Sequence, residues 1–548
     1  MRRSLVLLAA VVFAFTLSAE VELPKADEKW LTLETDGFRF ISNASPRVTQ
    51  GIARDLLRMR AAVGQLTRFR VYTAEPTRVY LFSSERAFAP YRSAVLDVDN
   101  GYFSGFFLRR RGGNFILLRS DAASDDRVVY HELTHQFVAN TGGNMPAWFN
   151  EGIAEYYSTF RTEGEAAQIG RPVGDHVLWL REQPLIPLRE LFAVTRASPI
   201  YNEEERTGHF YAQSWALVHY LMSDPGRRAS LGRFLTLLGS GKSVDEAFSG
   251  AFGMQVSELE EALRAYIRRV SFPYTSFELG ELEIAELPEP AAMPHDAVLQ
   301  QLGQLLLASA DKHATSAKRF FDEALAVNPK NALAYTGLGR VYDITGRTAD
   351  ADAAYAKAVQ IGSGDAEVYL AAGLSLMARR PDEESYRRAG AFFRLATKAD
   401  PKSSRAWAAL GSTLLGRNRD RPAAIAAFQK SVELEPANDE AASQLARLLA
   451  REGRHDDARK LAQARLARTH ERSVHSEGTV MLAEVDRFET ATEFSASLHE
   501  AIAKADAGKY DEALAILDRL LPTIRDPAIE EQTLAFREQV AGMKAKKK

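Results

Sequence analysis

Val128-Val129-Tyr130-His131-Glu132-Leu133-Thr134-His135-Gln136-Phe137 sets two histidines four positions apart within an apolar pattern of helical period. Val129, Tyr130, Leu133 and Phe137 fall along one face of such a helix and are expected to be buried. His131 and His135 lie one turn apart on another face, their Cβ atoms roughly 5–6 Å from each other. At that spacing two imidazoles can converge on one zinc ion. Glu132 is next along the helix, rotated by about 100°, and from there its carboxylate can reach a water on the metal without ligating it. Ser124, with Asp125 and Asp126, supplies an N-cap and negative charge for the first turn. The bland alternative is a solvated histidine pair on a helix surface. A chance match to this pattern in a chain of this His and Glu content is on the order of one in a hundred.

A second segment, Pro146-Ala147-Trp148-Phe149-Asn150-Glu151-Gly152-Ile153-Ala154-Glu155-Tyr156-Tyr157, follows shortly. A Trp-x-Asn-Glu-Gly-x-Ala run after a His-Glu-x-x-His helix resembles the gluzincin metallopeptidases, and most closely their bacterial peptidase-MA-like group. The similarity extends over most of Trp30 to Tyr266, including Pro187–Phe192 and Phe210–Trp215. The resemblance implies one zinc ion per chain, Glu151 as its third ligand beside His131 and His135, and Glu132 as general base. Glu155, one turn beyond Glu151, resembles the outer carboxylate that holds a ligating imidazole in position; the alternative is that Glu155 is itself the ligand. Tyr211 resembles the tyrosine that in several gluzincins donates a hydrogen bond to the tetrahedral oxyanion; its plain reading is a buried helix tyrosine. His219, on the same helix, reads as structural. Two departures matter. The gap from His135 to Glu151 is shorter than in gluzincin aminopeptidases, so a tight turn is required, for which Asn140 to Asn144 with Gly142-Gly143 is suited. The aminopeptidase signature Gly-x-Met-Glu-Asn is absent, so an endopeptidase is the expectation.

Upstream, Thr77–Phe82 and Asn114–Leu118 read as strands, and Pro46 to Phe69 carries Ile52, Leu56, Leu57, Met59, Val63 and Leu66 at helical spacing. From Ser124 onward the region reads as mostly helical. An extended peptide substrate is expected along the edge of the Asn114–Leu118 strand, paired through main-chain bonds. The fold class that follows is α+β: a zincin-like peptidase domain over 26–270, with a mixed sheet and active-site helices.

Downstream, 271–294 holds Pro273, Pro288, Pro290 and Pro294 in a Glu-rich stretch without helical period, and reads as a linker. Over 295–470 the chain repeats itself. Leu302-Gly303, Leu338-Gly339, Ala372-Gly373, Leu410-Gly411 and Leu445-Ala446 align. So do the pairs Ala317/Phe321, Ala351/Tyr355, Ala389/Phe393 and Ala424/Phe428, each a small residue followed four later by a bulky one. Pro329, Pro401 and Pro436 close three units. The pattern resembles the tetratricopeptide repeat, a helix pair of about 34 residues, and implies an all-α solenoid that binds a protein partner or part of the substrate. An insertion at Arg379 to Ser385 interrupts the third unit. The last region, 471–548, contains a further repeat-like motif at Gly508–Leu514 and ends in a basic tail.

Arg2-Arg3, an apolar run from Leu5 to Leu17 and Ser18-Ala19 have the order of a secretory signal over 1–19. The expected location is therefore exported, periplasmic or secreted. No later stretch is long or apolar enough to span a bilayer. The chain of 548 residues has no cysteine, so neither disulfides nor thiolate metal sites are available and any metal must use His and carboxylate donors. A formal charge of −3 gives no general attraction for nucleic acid; Arg109-Arg110-Arg111 reads as a solvated turn. Peptide or protein substrates and a protein partner are the expected ligands. The competing class is a non-catalytic repeat scaffold carrying a degenerate peptidase domain.

Overall fold

In the computed structural model of the protein, the helix expected over Pro46–Phe69 runs Pro46–Leu66, and its start has a local cause. Ser45 stands in extended conformation and its hydroxyl accepts from the Val48 N–H, with Pro46 in the first turn where no N–H is needed. The structure describes residues 21–72, 75–96, 105–110, 113–121, 127–141, 145–195, 198, 200, 204–239, 242–282, 284–309, 311–362, 364–379, 381–418, 420–436, 438–466, 472–524 and 527–546. The 1–19 segment, the Ser124–Asp126 cap and the Gly142-Gly143 turn lie outside them.

The first elements in chain order are β1 (Leu31–Thr35), β2 (Phe38–Ser42), α1 (Pro46–Leu66), β3 (Thr77–Phe82), α2 (Glu85–Leu96), β4 (Gly105–Arg110), β5 (Gly113–Arg119), α3 (Arg127–Thr141) and α4 (Ala147–Ser158). Then come β6 (Arg161–Glu163), β7 (Ala166–Ile169), α5 (Gly174–Glu182), α6 (Leu188–Ala193), α7 (Glu204–Met222), α8 (Pro225–Gly239), α9 (Val244–Phe252), α10 (Val256–Ile267), β8 (Thr275–Glu278) and β9 (Ala291–Ala292). The repeat region supplies α11 (His295–Ser309), α12 (Ala314–Val327), α13 (Ala332–Ile344), α14 (Thr348–Ile361), α15 (Ala366–Ala378), α16 (Glu383–Ala399), α17 (Ser404–Asn418), α18 (Arg421–Leu434), α19 (Asp439–Arg451) and α20 (His455–Leu466). It is followed by α21 (Arg472–Asp506), α22 (Tyr510–Leu520) and α23 (Pro527–Lys546). The architecture is thus a mixed sheet with helices, then an all-helical array of tetratricopeptide type. No described helix is long and apolar enough to cross a membrane.

The described residues divide into two compact units. The first takes those up to Phe137, Ile153–Val177 and Arg269–Ala409; the second takes Val138–Gly152, Leu178–Arg268 and those from Leu410 onward. In the first, six strands form a sheet of order β4-β5-β3-β2-β1-β9. β2, β3 and β5 are parallel, while β4, β1 and β9 pair antiparallel with their neighbours. Two expectations change here. The Asn114–Leu118 strand has no free edge, because β4 covers it from Gly105↔Leu118 to Arg110↔Gly113; among the described residues the outermost strand on that side is β4. Arg109 and Arg110, read as part of a turn, are strand residues. The chain beyond Ser124 also contains strands: β6, β7 and β8 form a second sheet.

The 271–294 stretch behaves unlike a linker. β8 joins the small sheet and β9 pairs with β1, with Leu31↔Ala292 in register. Gln65 donates to the Glu281 carbonyl at 2.7 Å and Gln50 to that of Pro288 at 3.3 Å. Beyond it, α11 is part of the sheet's own core: Val298, Leu299, Leu302, Leu305 and Leu306 cluster with Tyr80, Phe82, Phe115 and Leu117, all at most 1 % exposed. The Tyr80 hydroxyl donates to the Gln301 carbonyl at 3.0 Å. Sheet and first repeats therefore bury apolar surface together within this unit.

Within the repeats the small-and-bulky pattern has its cause in close helix approach. A Cβ added at Gly337 on α13 would stand 2.4 Å from the Phe321 ring on α12, so only glycine admits that aromatic. In the second unit, Trp148, Phe192, Phe234 and Phe248 form a chain of ring contacts at 5.3–5.8 Å that ties α4, α6, α8 and α9 together. The expected motif at Gly508–Leu514 is a helix turn, with Gly508 at φ +73° between α21 and α22. A core of Ala501, Ala505, Ala513, Ile516, Leu517, Leu520 and Val540 packs α21, α22 and α23.

Candidate metal centre

α3 is anchored by the face expected to be buried: Val129, Tyr130, Leu133 and Phe137 are 0–5 % exposed. The Tyr130 ring meets Phe160 edge-on at 5.5 Å. This orientation leaves the next face of the helix to His131 and His135, whose Nε2 atoms approach to 2.9 Å with rings nearly perpendicular. Glu132, half-buried, follows His131 on the same helix.

α4 brings Glu151, which is fully buried. One ligand atom from each of His131, His135 and Glu151 lies within 4.8 Å of the others. A buried carboxylate facing two imidazoles is costly unless a cation or several hydrogen bonds balance it. Two neutral imidazoles and one carboxylate are the donor set of a catalytic zinc site with an open position. The residues present therefore fit a divalent cation.

Gly152 explains why a side chain cannot follow Glu151. A Cβ there would stand 2.3 Å from the Ser214 carbonyl oxygen and 2.6 Å from Val218, both on α7. Backbone meets backbone, and only glycine permits it. Gly152→Ala is expected to displace α4, destabilising the protein by about 1–3 kcal/mol and weakening metal binding through Glu151. Thermal unfolding and metal titration of the variant check both effects.

Glu155 lies one turn beyond Glu151. Its Oε1 is 3.3 Å from His131 Nδ1. A proton on Nδ1 shared with this carboxylate leaves the His131 Nε2 lone pair directed toward His135, the tautomer a metal requires. The other oxygen, Oε2, accepts from Arg127 Nη2 at 3.1 Å and stands 3.3 Å from His176 Nε2. Burial pushes the Glu155 carboxyl up, but hydrogen bonds from His131 and His176, with their charges, outweigh it and hold the group well below the usual carboxylate range.

Arg127 and His176 were not legible as site residues. Arg127 carried a signal, since it lies four positions before His131 and so on the same helix face. His176 carried none: it sits on α5, beyond the β6–β7 hairpin. Tyr211 is half-buried on α7, with its ring edge-on to Phe210 at 6.1 Å. His219 is fully buried, its Nδ1 2.9 Å from the Tyr266 hydroxyl.

Residues 119–269 match the family model described as the Peptidase MA superfamily. Residues 301–366 and 417–476 match two tetratricopeptide-repeat models. Comparison with curated proteins gives no match. Among solved structures, the chain is similar to YrrB, a tetratricopeptide-repeat protein with an unusual peptide-binding site, at 18 % identity over 33 % of this chain and 91 % of that one, with a TM-score of 0.26. It is similar to pilF of Pseudomonas aeruginosa at 21 % identity over 44 % and 96 %, with a TM-score of 0.30. It is also similar to a thermophilic tetratricopeptide-repeat protein of Thermus thermophilus at 20 % identity over 34 % and 99 %, with a TM-score of 0.30.

Proposed function

We propose that the chain is an exported zinc-dependent endopeptidase of the gluzincin type, with helical repeats that bind a protein partner or part of the substrate. The observation that carries the reading is the convergence of His131, His135 and Glu151 within 4.8 Å, with Glu132 beside them on α3. The match of residues 119–269 to the Peptidase MA superfamily supports it, as do the repeat matches for the binding region.

In this reading His131, His135 and Glu151 hold the ion. When bound there, zinc supplies Lewis acidity and lowers the pKa of water toward about 7. Glu132 takes the proton of the attacking water and hands it to the leaving amine, a transfer within reach of a carboxylate one position along the helix. Tyr211 donates a hydrogen bond to the carbonyl oxygen as it gains charge. Glu155 keeps His131 in the required tautomer. An extended peptide pairs with β4, the outermost described strand on that side of the large sheet, through main-chain hydrogen bonds.

Metal analysis of the purified chain, joined to cleavage of unfolded casein with and without chelator, tests the reading. One zinc per chain and cleavage abolished by chelator are expected. A chain without bound zinc and without chelator-sensitive cleavage would leave the repeats as a scaffold and end the enzymatic proposal.

A further inference from the structure

We infer that Arg127 and His176 are positioning residues that keep Glu155 out of the metal's ligand set and hold it on His131. The inference rests on the metal reading above.

The site poses a problem of choice. Glu151 and Glu155 stand one turn apart on α4, and either carboxylate is of the right type to ligate. A carboxylate joins a cation by turning an oxygen toward it, so its other bonds decide whether it is free to turn. Those of Glu155 are committed. Oε1 meets His131 Nδ1 at 3.3 Å, and Oε2 meets both Arg127 Nη2 at 3.1 Å and His176 Nε2 at 3.3 Å. Three cationic or polar donors thus hold two oxygens. To reach the ion, Glu155 would have to release charge-assisted hydrogen bonds, the strong kind.

The two clamping residues are unequal. The Arg127 side chain is 43 % exposed, and an ion pair so open to water contributes little by itself. The His176 side chain is 20 % exposed and that of Glu155 13 %, so their contact is the drier one and carries more of the hold.

His176 also arrives by a built route. The β6–β7 hairpin returns the chain through Gly170 at φ +74°, and the Thr159 hydroxyl accepts from both the Gly170 and Arg171 N–H groups at 2.8 and 3.1 Å. Val173 and Val177 are 5 % and 7 % exposed on either side of the histidine. Val177 N donates to Val173 O at 3.0 Å. The start of α5 is thereby seated, with its imidazole aimed at Glu155. No step of the reaction described above uses this imidazole; its contact with Glu155 gives it a place in the site.

The test uses the full chain with His176→Phe, Arg127→Met, the double variant and His176→Gln. Zinc affinity is measured by competition with a chelator, and coordination is read from the visible spectrum of the cobalt(II)-substituted protein. His176→Phe is expected to weaken zinc about tenfold and the double variant up to about a hundredfold, the range found when a ligand's outer partner is lost. The cobalt spectrum of the double variant is expected to change as Glu155 becomes free to ligate. His176→Gln is expected to recover most of the affinity, because its amide N–H can donate to Glu155. Metal-free unfolding temperatures identify any variant that fails to fold; His176→Ala, which removes the imidazole without adding bulk, takes the place of His176→Phe if that variant does not fold. Folded variants with wild-type zinc affinity and an unchanged cobalt spectrum overturn the inference while leaving the peptidase reading intact. Wild-type protein that takes up no zinc overturns both.

Discussion

Glu132→Gln is expected to leave one zinc per chain and to lower turnover of unfolded casein by about 10²–10⁴-fold, the range that a positioned general base supplies. The substitution changes almost nothing else. Glutamine keeps the size and shape of glutamate, and its helix propensity is similar. The neighbouring His131 and His135 are held by the buried face of α3, through Val129, Tyr130, Leu133 and Phe137, and not by Glu132. What disappears is an anionic oxygen able to accept a proton. Rate and metal content must therefore part company, with kcat falling while zinc stays stoichiometric. Retained turnover in a zinc-loaded variant would remove Glu132 from its role.

The second large effect separates holding the metal from using it. His135→Ala and Glu151→Ala are each expected to lose stoichiometric zinc, measured by metal analysis after dialysis, and with it all cleavage of casein. Each removes one of the three donors that the described residues bring together, and three protein ligands are what a catalytic zinc site uses. The loss has a thermodynamic signature. Wild-type protein in zinc at about a thousand times its dissociation constant gains about 4 kcal/mol of stability by mass action. Chelator should remove that gain from the wild type and leave His135→Ala and Glu151→Ala unchanged. A Glu151→Ala protein that still responds to zinc would move the third ligand to another acid, with Glu155 first in line.

Much of the site was written locally. Two histidines four apart lie on one helix face by geometry alone, and the apolar residues around them name the buried face, so α3 could be read with its orientation. Glu151 and Glu155 are likewise one turn apart on α4. Gly152 stood in the motif without a reason; the reason is the carbonyl of Ser214, 62 positions later in the chain. The repeats were legible for a similar cause: each helix pair reuses the same small and bulky positions, so periodicity accumulates over the array.

Strand order was not legible, because hydrogen bonds between strands leave no spacing in a sequence. Asn114–Leu118 was recognisable as a strand, but nothing in it says that Gly105–Arg110 covers its side, and so the outermost position was assigned to the wrong strand. The 271–294 stretch lacked any helical period and was rich in proline and glutamate, a composition shared by linkers and by exposed edge strands that pair through main chain alone. Its pairing with β1 and β7 chooses between them.

The sequence by itself determined the two helices that present His131, His135 and Glu151, the position of Glu132 beside them, and the repeating helix pairs, because each is a matter of period along one segment. Only the tertiary structure decided that β4 covers β5, that α11 shares a core with the sheet, and that His176 closes on Glu155. Those are meetings of segments far apart in the chain, and they are selected by burial and pairing across space, which no local pattern encodes.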